Sequence, residues 1–346
     1  MARQLVNCME RAGYSVDIAS NLRAFLRDPD SETDNASLKA QAASEIERLS
    51  ALWIQHGEPL LWFCYHPYFK SPDLIGPQMC HRFGIPYVTA EASFSRRRGR
   101  GIWAATQETV LESINQAAVN ICFTERDRVG LRDASPTATL VKLRPFIDTL
   151  SFTTDQRLGD TTQQRTSRLV TVAMMRSGDK MNSYERLAES LKQLLHLPWI
   201  LSVVGDGALR SEVNKLFTGI PPERIEWHGL LEPPEIAALF ARSALYVWPG
   251  CGEAYGLAYL EAQAAGVPVI AYDTAGVPEV VKHETSGLLT PEGADALYAA
   301  AIASLLNNPK QLNLLSGSAT AYVQRYHSLK SASEALHGIL KEHVGL

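Results

Sequence analysis

The sequence predicts an α/β protein with two doubly wound parallel-sheet domains that face a cleft. Short apolar, β-branched segments recur along the chain, each followed by a helical pattern and a Gly or Pro break. This alternation is typical of parallel strands joined by crossover helices. The length of 346 residues suits two domains of ordinary size, and a Thr- and Gln-rich stretch, residues 151–167, separates the halves. A ligand cleft is expected between the carboxyl edges of two such sheets.

The first half, residues 1–150, is predicted to form one of these domains. Residues 1–12 have the apolar spacing of a helix, and Gly13 is suited to end it. Five strands are predicted at residues 15–19, 60–65, 87–91, 119–124 and 139–143. A doubly wound domain normally begins with a strand before such a helix, so its first strand is missing here. Either the sequence is a fragment or a wrongly started gene product, or the sheet is completed in an unusual way.

The second half, residues 168–325, is predicted to form the other domain, with residues 151–167 as the linker. Five strands are predicted at residues 169–174, 199–204, 225–228, 244–248 and 268–272. We interpret residues 326–346 as a C-terminal helix that packs back on the first domain.

Composition excludes several classes of protein. The chain is 46% apolar and 20% charged, with a net charge of -4, and no apolar segment approaches the roughly 18 residues of a membrane span. The mild acidity argues against nucleic acid as a partner. The five cysteines are odd in number, scattered and without Cys-x-x-Cys spacing. They indicate reduced thiols of a cytoplasmic protein rather than disulfides or a zinc site, and no metal-ligand cluster is evident.

A basic segment interrupts this otherwise acidic chain. Arg96, Arg97, Arg98 and Arg100 lie within seven residues. Such a run is commonly a solvated loop. The functional alternative is a loop that faces an acidic acceptor or a lipid surface, which would place the protein at the inner membrane face.

Two glutamates near the C-terminal end are the most informative feature. Glu253 follows a glycine-bearing turn, and Glu261 lies on the helical stretch after it. This layout places one carboxylate beside a helix N-terminus and the other about two turns along. The free N–H groups between them suit a phosphate. A nucleotide sugar needs these three elements: a carboxylate for sugar hydroxyls, N–H groups for the diphosphate and a carboxylate for the ribose.

Two further loops follow predicted strands. Gly205 and Gly207 form a tight turn that would let the backbone approach a phosphate or sugar. A dinucleotide fingerprint requires a small residue where Arg210 stands, and such turns are often purely structural. Arg176 and Lys180 follow another strand, where they either neutralise a diphosphate leaving group or are ordinary loop charges.

About 150 residues of the second half resemble the donor domain of glycosyltransferase family 4, which has the GT-B fold. The matching segments are residues 205–207, 228–229, 249–261, 265–271, 276–281 and 286–289. The first half resembles the acceptor domain of the family more loosely, through residues 11–16 and 145–148. The resemblance implies a retaining glycosyltransferase that needs no cofactor and no metal. Its donor would be a UDP- or GDP-sugar, and its acceptor a hydroxyl of a saccharide, a lipid-linked molecule or a small molecule.

The resemblance also implies residue roles. Glu253 would hold the donor sugar, Glu261 the ribose, and Lys180 would add charge at the diphosphate. The distal phosphate would lie on backbone N–H groups of a four-residue segment, and the base beside a second segment. These segments are Ala254, Tyr255, Gly256 and Leu257, and His228, Gly229 and Leu230, which continues to Leu231.

The chain departs from the family at several positions. Met174 stands where the family often has Arg, so Arg176 or Lys180 alone would carry that role. His66 and Glu91 each follow a strand of the first half and are candidates for the sugar or acceptor site. For His66 the structural alternative is an ordinary hydrogen-bonded histidine.

Three functions stay open from the sequence. The first is the retaining transferase, in which fixed cations and a helix N-terminus stabilise the departing nucleoside diphosphate. The second is a pseudoenzyme or truncated fragment that binds a nucleotide sugar without transfer, which the missing strand favours. The third, an NAD-dependent dehydrogenase, depends on the glycine turn alone and does not explain the two glutamates.

Overall fold

The computed structural model describes residues 1–28, 30–99, 101–152 and 167–346 of the chain. They divide into two compact units. Unit 1 comprises Met1–Leu143 and Ala332–Leu346, and unit 2 comprises Arg144–Ser331. Most of the predicted linker, residues 153–166, lies outside the described residues.

Unit 1 contains a sheet of four parallel strands in the order β1-β2-β3-β4. The strands are β1 (Trp62–Tyr65), β2 (Tyr87–Ala90), β3 (Val119–Cys122) and β4 (Leu140–Lys142). The helices are α1 (Ala2–Arg11), α2 (Glu32–His56), α3 (Gly76–Phe83), α4 (Ala104–Gln116) and α5 (Glu125–Ala134). The middle strands β2 and β3 are fully buried, whereas the edge strand β1 is half-buried.

The predicted strand at residues 15–19 is wrong. The helix before it forms and Gly13 ends it with a φ of 95°, but residues 15–19 have no regular structure and pair with no strand. Ala19 instead packs against the apolar core between α2 and α3, and its carbonyl accepts a hydrogen bond from Arg48 at 2.7 Å. A β-prone segment becomes a strand only beside another strand, and here α2 takes up its apolar side chain.

Unit 2 contains six parallel strands in the order β10-β9-β8-β5-β6-β7. The strands are β5 (Arg168–Val172), β6 (Ile200–Val204), β7 (Ile225–Gly229), β8 (Leu245–Val247), β9 (Val269–Asp273) and β10 (Gly287–Pro291). The helices are α6 (Asp179–Lys192), α7 (Arg210–Leu216), α8 (Pro233–Ala241), α9 (Leu257–Ala264), α10 (Asp295–Leu306), α11 (Pro309–Tyr326) and α12 (Leu329–Val344).

The sequence prediction for unit 2 lacks one strand. The five predicted strands are all present, but β10 also pairs with β9 along its whole length. Its first residue is Gly287, where a Cβ would overlap the carbonyl oxygen of Val269 on β9. The strand was not predicted because its five residues include a glycine and a proline, which usually mark turns.

The two chain segments that bound unit 2 lie side by side. Ile147 forms a parallel bridge with Ser328, and its N–H donates to the carbonyl of His327 at 3.0 Å. His327 Nδ1 donates to the carbonyl of Pro145 at 2.6 Å, and burial lowers the pKa of this histidine to about 4. Helix α12 begins beyond this point in unit 2 and continues into unit 1, where His337 Nδ1 lies 2.8 Å from the hydroxyl of Tyr14.

Candidate functional site

Most of the predicted site residues of unit 2 lie at the carboxyl edge of its sheet. Strands β5 and β8 are neighbours, although the chain runs from β5 to β6 and β7 on one side before it returns to β8 on the other. The order therefore reverses between β5 and β8. In open parallel sheets such a switch point is the usual ligand site. Lys180 follows β5, in the first turn of α6, and Glu253 lies on the loop after β8.

Lys180 and Glu253 form an ion pair at this switch point. The ammonium of Lys180 lies 2.5 Å from Glu253 Oε2, and Trp248 Nε1 donates to the same oxygen at 3.4 Å. The two side chains are only 17% and 16% exposed. Lys180 lies in the first turn of α6, where a cation opposes the helix dipole. Helix stability therefore does not explain a lysine at this position, whereas the ion pair with Glu253 does.

The turn before α9 is built from glycines. Gly250 and Gly256 have φ values of 79° and 78°, and a Cβ at either would overlap the side chain of Tyr259. Helix α9 starts at Leu257, so Glu253 lies on the turn and Glu261 about one turn into the helix. The expected separation of two helical turns is thus corrected, because residues 253–256 are not helical.

The N-terminus of α9 has unsatisfied donors. No side chain caps this helix. The N–H groups of Leu257 and Ala258 have no hydrogen-bond partner in the part of the chain that the structure describes. Backbone N–H groups at the start of a helix bind anions well, because the helix dipole adds to their own charge.

Glu261 lies on α9 in a partly buried position. Burial raises the pKa of its carboxyl group to about 7. A carboxylate in such surroundings gains from a ligand that donates hydrogen bonds to it, since these favour its charged form.

The glycine turn after β6 packs against the loop after β5. A Cβ at Gly205 would overlap the carbonyl oxygen of Ala173, and one at Gly207 would overlap that of Met175. The N–H of Met175 donates to the carbonyl of Asp206 at 2.9 Å. Close approach between two loops thus explains both glycines. Arg210, which breaks the dinucleotide fingerprint, pairs with Asp206 at 2.9 Å.

The segment after β7 is held by its backbone. Gly229 has a φ of 68°, and its carbonyl accepts from the N–H of Gly205 at 2.7 Å. His228 lies within β7, and its Nε2 is 3.7 Å from Glu226 Oε2. The side chain of Leu230 is largely exposed. The side chain of Leu230 and the backbone around it are therefore open to a ligand.

Several residues that sequence reasoning missed support these loops. Buried tyrosines donate their hydroxyls to carbonyls at the strand ends: Tyr184 to Ala173 at 2.8 Å, Tyr246 to Val172 at 3.2 Å and Tyr259 to Trp248 at 3.1 Å. A buried tyrosine needs a hydrogen-bond partner for its hydroxyl. Tyrosines within apolar segments were therefore the sequence feature that could have indicated these contacts. Gly276 was also missed: a Cβ there would overlap the carbonyl oxygen of Ala254.

The remaining predicted residues are Arg176 in unit 2 and His66 and Glu91 in unit 1. Arg176 is exposed and makes no ion pair with the described residues. His66 and Glu91 belong to unit 1, where they end β1 and β2 with φ values of 58° and 57°. Such values are uncommon for residues other than glycine and concentrate at functional sites. His66 Nδ1 donates to the backbone carbonyl of Glu91 at 3.1 Å.

The arginine run divides between two environments. Arg96 donates to the carbonyl of Asp133, which gives it a structural contact. The guanidinium carbon of Arg98 lies 3.7 Å from the centre of the Phe69 ring. Arg100 and the side chain of Arg97 lie outside the described residues.

No group of three or more His, Cys, Asp or Glu residues is arranged to hold a metal ion in the described part of the chain. No helix within it is both long and apolar enough to cross a membrane.

Residues 163–321 match the profile of the family "Glycosyl transferases group 1". Curated relatives include the sulfoquinovosyl transferase SQD2 of Arabidopsis thaliana, 32% identical over 105 residues, which are 30% of this chain and 20% of that protein. A GDP-mannose-dependent phosphatidylinositol monomannoside mannosyltransferase of Corynebacterium glutamicum is 32% identical over 149 residues, 41% of this chain and 38% of that one. The chain thus aligns with well under half of these proteins. The family match therefore concerns residues 163–321 alone.

The similarity to solved structures extends over both units. Sucrose-phosphate synthase from Thermosynechococcus elongatus has a TM-score of 0.73 at 18% identity and covers 99% of this chain and 92% of its own. HepE from Anabaena, solved in complex with UDP, has a TM-score of 0.72 at 16% identity and covers 87% of this chain and 83% of its own. At such identities the likeness shows the fold, which is the GT-B fold of glycosyltransferases.

Proposed function

We propose that this chain is a retaining glycosyltransferase that moves a sugar from a nucleoside diphosphate sugar to a hydroxyl acceptor. The observation that carries the proposal is the Lys180–Glu253 pair at 2.5 Å, at the switch point of the sheet and beside the uncapped N-terminus of α9. Ordinary surface ion pairs do not combine low exposure with neighbouring unsatisfied N–H groups. The match of residues 163–321 to the group 1 family supports the same conclusion.

Each member of the pair has a natural partner in such a donor. A sugar hydroxyl that donates to Glu253, and a phosphate oxygen that accepts from Lys180, would replace the contact that the two side chains make with each other. Trp248 limits the freedom of both, since its ring lies 5.5 Å from the ammonium and its N–H reaches the carboxylate. Exchange of one contact for two would keep both side chains hydrogen-bonded in the complex.

The start of α9 suits the rest of the donor. The free N–H groups of Leu257 and Ala258 would hold the distal phosphate, and Glu261, one turn further on, would accept the ribose hydroxyls. Arg176 is exposed on the loop that joins β5 to α6 and would add charge at the diphosphate.

The reaction breaks the bond between the anomeric carbon and the leaving phosphate oxygen. The nucleoside diphosphate departs with the bonding electrons, and the acceptor oxygen bonds to the same face of the sugar and gives its proton to the departing phosphate. Negative charge grows on the diphosphate during this step, and Lys180 and the α9 N-terminus stabilise it. Interactions that strengthen in the transition state raise the rate itself.

The donor class follows from the site and from the relatives. HepE was solved with UDP and with UDP-glucose, and one curated relative is named as GDP-mannose-dependent. We therefore propose a UDP- or GDP-sugar as the donor and a hydroxyl on a saccharide, lipid-linked or small molecule as the acceptor. Metal independence and contact with a membrane remain predictions from the sequence.

The proposal is tested in two steps. UDP, GDP and their sugars are screened for thermal stabilisation of the full chain, because a ligand that binds only the folded state raises its melting temperature. Release of nucleoside diphosphate from each stabilising donor is then measured, with and without EDTA and with an acceptor panel. We expect at least one donor to stabilise and to be turned over. Stabilisation without turnover would favour a nucleotide-sugar-binding protein instead, and no stabilisation would contradict both.

A further inference from the structure

The ends of β1 and β2 in unit 1 carry a group of cations and rings that the donor site does not use. We define the cation–ring cluster as Lys70, Arg98, Phe25, Phe69 and Trp103. The ammonium of Lys70 lies 6.0, 5.9 and 5.6 Å from the ring centres of Phe25, Phe69 and Trp103. Arg98 lies over Phe69 at 3.7 Å. From this cluster we infer a second ligand site.

We propose that the cation–ring cluster binds an anionic group, a phosphate or carboxylate, on the hydroxyl acceptor. This inference builds on the proposed transferase function, because it names the chemical class of the acceptor. The site would select acceptors that carry a negative charge.

The two cations have no acidic partner in the described part of the chain. Neither Lys70 nor Arg98 lies within ion-pair distance of a carboxylate there. Aromatic faces attract a cation without neutralising it, so two positive charges remain for a ligand. An anion held by two such cations forms charge-assisted hydrogen bonds, which are the strong ones.

The cluster is also fixed in place. Tyr68 and Ser71 exchange backbone hydrogen bonds of 3.2 and 2.8 Å around Lys70, and the N–H of Leu26 donates to the Lys70 carbonyl at 2.7 Å. Phe69 is buried and packs edge-on against Trp103, with ring centres 4.9 Å apart. A held backbone and a buried ring reduce the entropy that binding must overcome.

Hydroxyl-binding groups adjoin the cluster. A row of rings leads from Phe69 to Tyr68 at 5.5 Å and from Tyr68 to His66 at 4.8 Å. His66 Nδ1 donates to the Glu91 carbonyl at 3.1 Å, and 41% of the His66 side chain stays exposed to a ligand. Glu91 Oε2 is buried without a hydrogen-bond partner in the described residues. A carboxylate oxygen only accepts, so a ligand hydroxyl would satisfy it.

These features together match a polyol with an acidic group. The hydroxyls would meet His66 and Glu91, the apolar face of a sugar ring would meet Tyr68, and the anion would meet Lys70 and Arg98. A free sugar phosphate, a uronic acid and a phosphoinositol lipid headgroup share this chemistry, and the experiment separates them.

The test measures binding by calorimetry on the full chain without any donor. The soluble probes are glucose, glucose 6-phosphate and glucuronic acid, and the lipid probe is phosphatidylcholine vesicles with or without phosphatidylinositol. We expect an anionic probe to bind about tenfold or more tightly than its neutral counterpart. The probe that shows the preference identifies the source of the anion. Equal binding of charged and neutral probes, or no binding at all, would overturn the inference.

Variants identify the residues responsible. Lys70→Met with Arg98→Gln keeps the side-chain bulk and should abolish the preference, whereas the exposed Lys39→Met on α2 should retain it. Glu91→Gln should weaken binding of neutral and charged sugars alike, because it acts on hydroxyls. A double variant that keeps the preference, or that loses UDP binding, would contradict the assignment. Absence of donor turnover would contradict the proposed function while leaving this binding result intact.

Discussion

The two units finish their central strands in different ways. In unit 2 the strands end in glycine turns whose backbones touch, as Gly205 does at Ala173 and Gly276 at Ala254. In unit 1, β1 and β2 end in His66 and Glu91, two residues with side chains held at positive φ. The first arrangement offers backbone N–H groups and the second offers side chains.

The two units also differ in whether their charged side chains are paired. At the switch point of unit 2, Lys180 and Glu253 compensate each other. In unit 1, Lys70 and Arg98 lie over rings. A backbone site for a group common to many donors constrains glycine positions strictly, whereas a side-chain site can change with its ligand. The family profile matches residues 163–321, which lie wholly within unit 2.

The strongest test of this comparison is Glu253→Ala. We expect a loss of transfer rate of about 10³-fold or more, because the donor sugar loses its partner and Lys180 loses its counter-charge in a site of low exposure. Steady-state release of nucleoside diphosphate measures it. Glu223→Ala, which removes an exposed carboxylate outside the candidate site, is the control and should behave as wild type. Unchanged activity in folded Glu253→Ala protein would remove the site assignment.

Gly205→Ala tests whether glycine in unit 2 is required by close backbone approach. The added Cβ would overlap the Ala173 carbonyl and the residue has a φ of 133°, so we expect a loss of about 3 kcal/mol in the free energy of unfolding. Urea denaturation followed by circular dichroism measures it. Gly317→Ala is the matched control: it lies inside α11 with nothing near its Cβ, and should gain up to about 1 kcal/mol. Equal effects would contradict the close-approach argument.

Lys180→Ala should lower the rate by about 100-fold, less than Glu253→Ala, because the N-terminus of α9 still stabilises the leaving group. The loss should appear in kcat more than in KM, since the charge on the diphosphate grows in the transition state. Full kinetic constants with a saturating acceptor decide this. Lys215→Ala, exposed in the last turn of α7, serves as the control. A change in KM alone would reduce Lys180 to a simple binding role.

Glu261→Gln tests the buried carboxyl through pH. The pKa of Glu261 is raised by burial from 4.5 to about 7, so its ionisation disfavours the folded state. Below pH 4.5 the group is protonated in both states, and stability falls as the pH rises from there to about 7. We expect Glu261→Gln to be more stable than wild type by about 3 kcal/mol at pH 8, with the difference vanishing below about pH 4. The measurement is urea unfolding across this range. A difference that does not vary with pH would contradict the buried-carboxyl interpretation.

The sequence predicted the fold class and most strands because alternation of apolar runs and helices is a local signal. It missed β10 and wrongly made residues 15–19 a strand, since pairing depends on which neighbours exist in space. The site shows the same limit. Glu253 and Glu261 lie on a contiguous segment and were found together. The contact of Lys180 with Glu253 joins residues 73 positions apart, and the tyrosine hydrogen bonds join different elements. Such contacts leave no periodic trace in the chain.

The bridge between Ile147 and Ser328 has a consequence for the history of the protein. The two ends of unit 2 are adjacent, and the unit is one continuous segment inserted between Leu143 and Ala332 of unit 1. A chain whose entry and exit coincide tolerates insertion and exchange. A gene of this design could exchange unit 2 by recombination at only two junctions, while unit 1 stays unchanged.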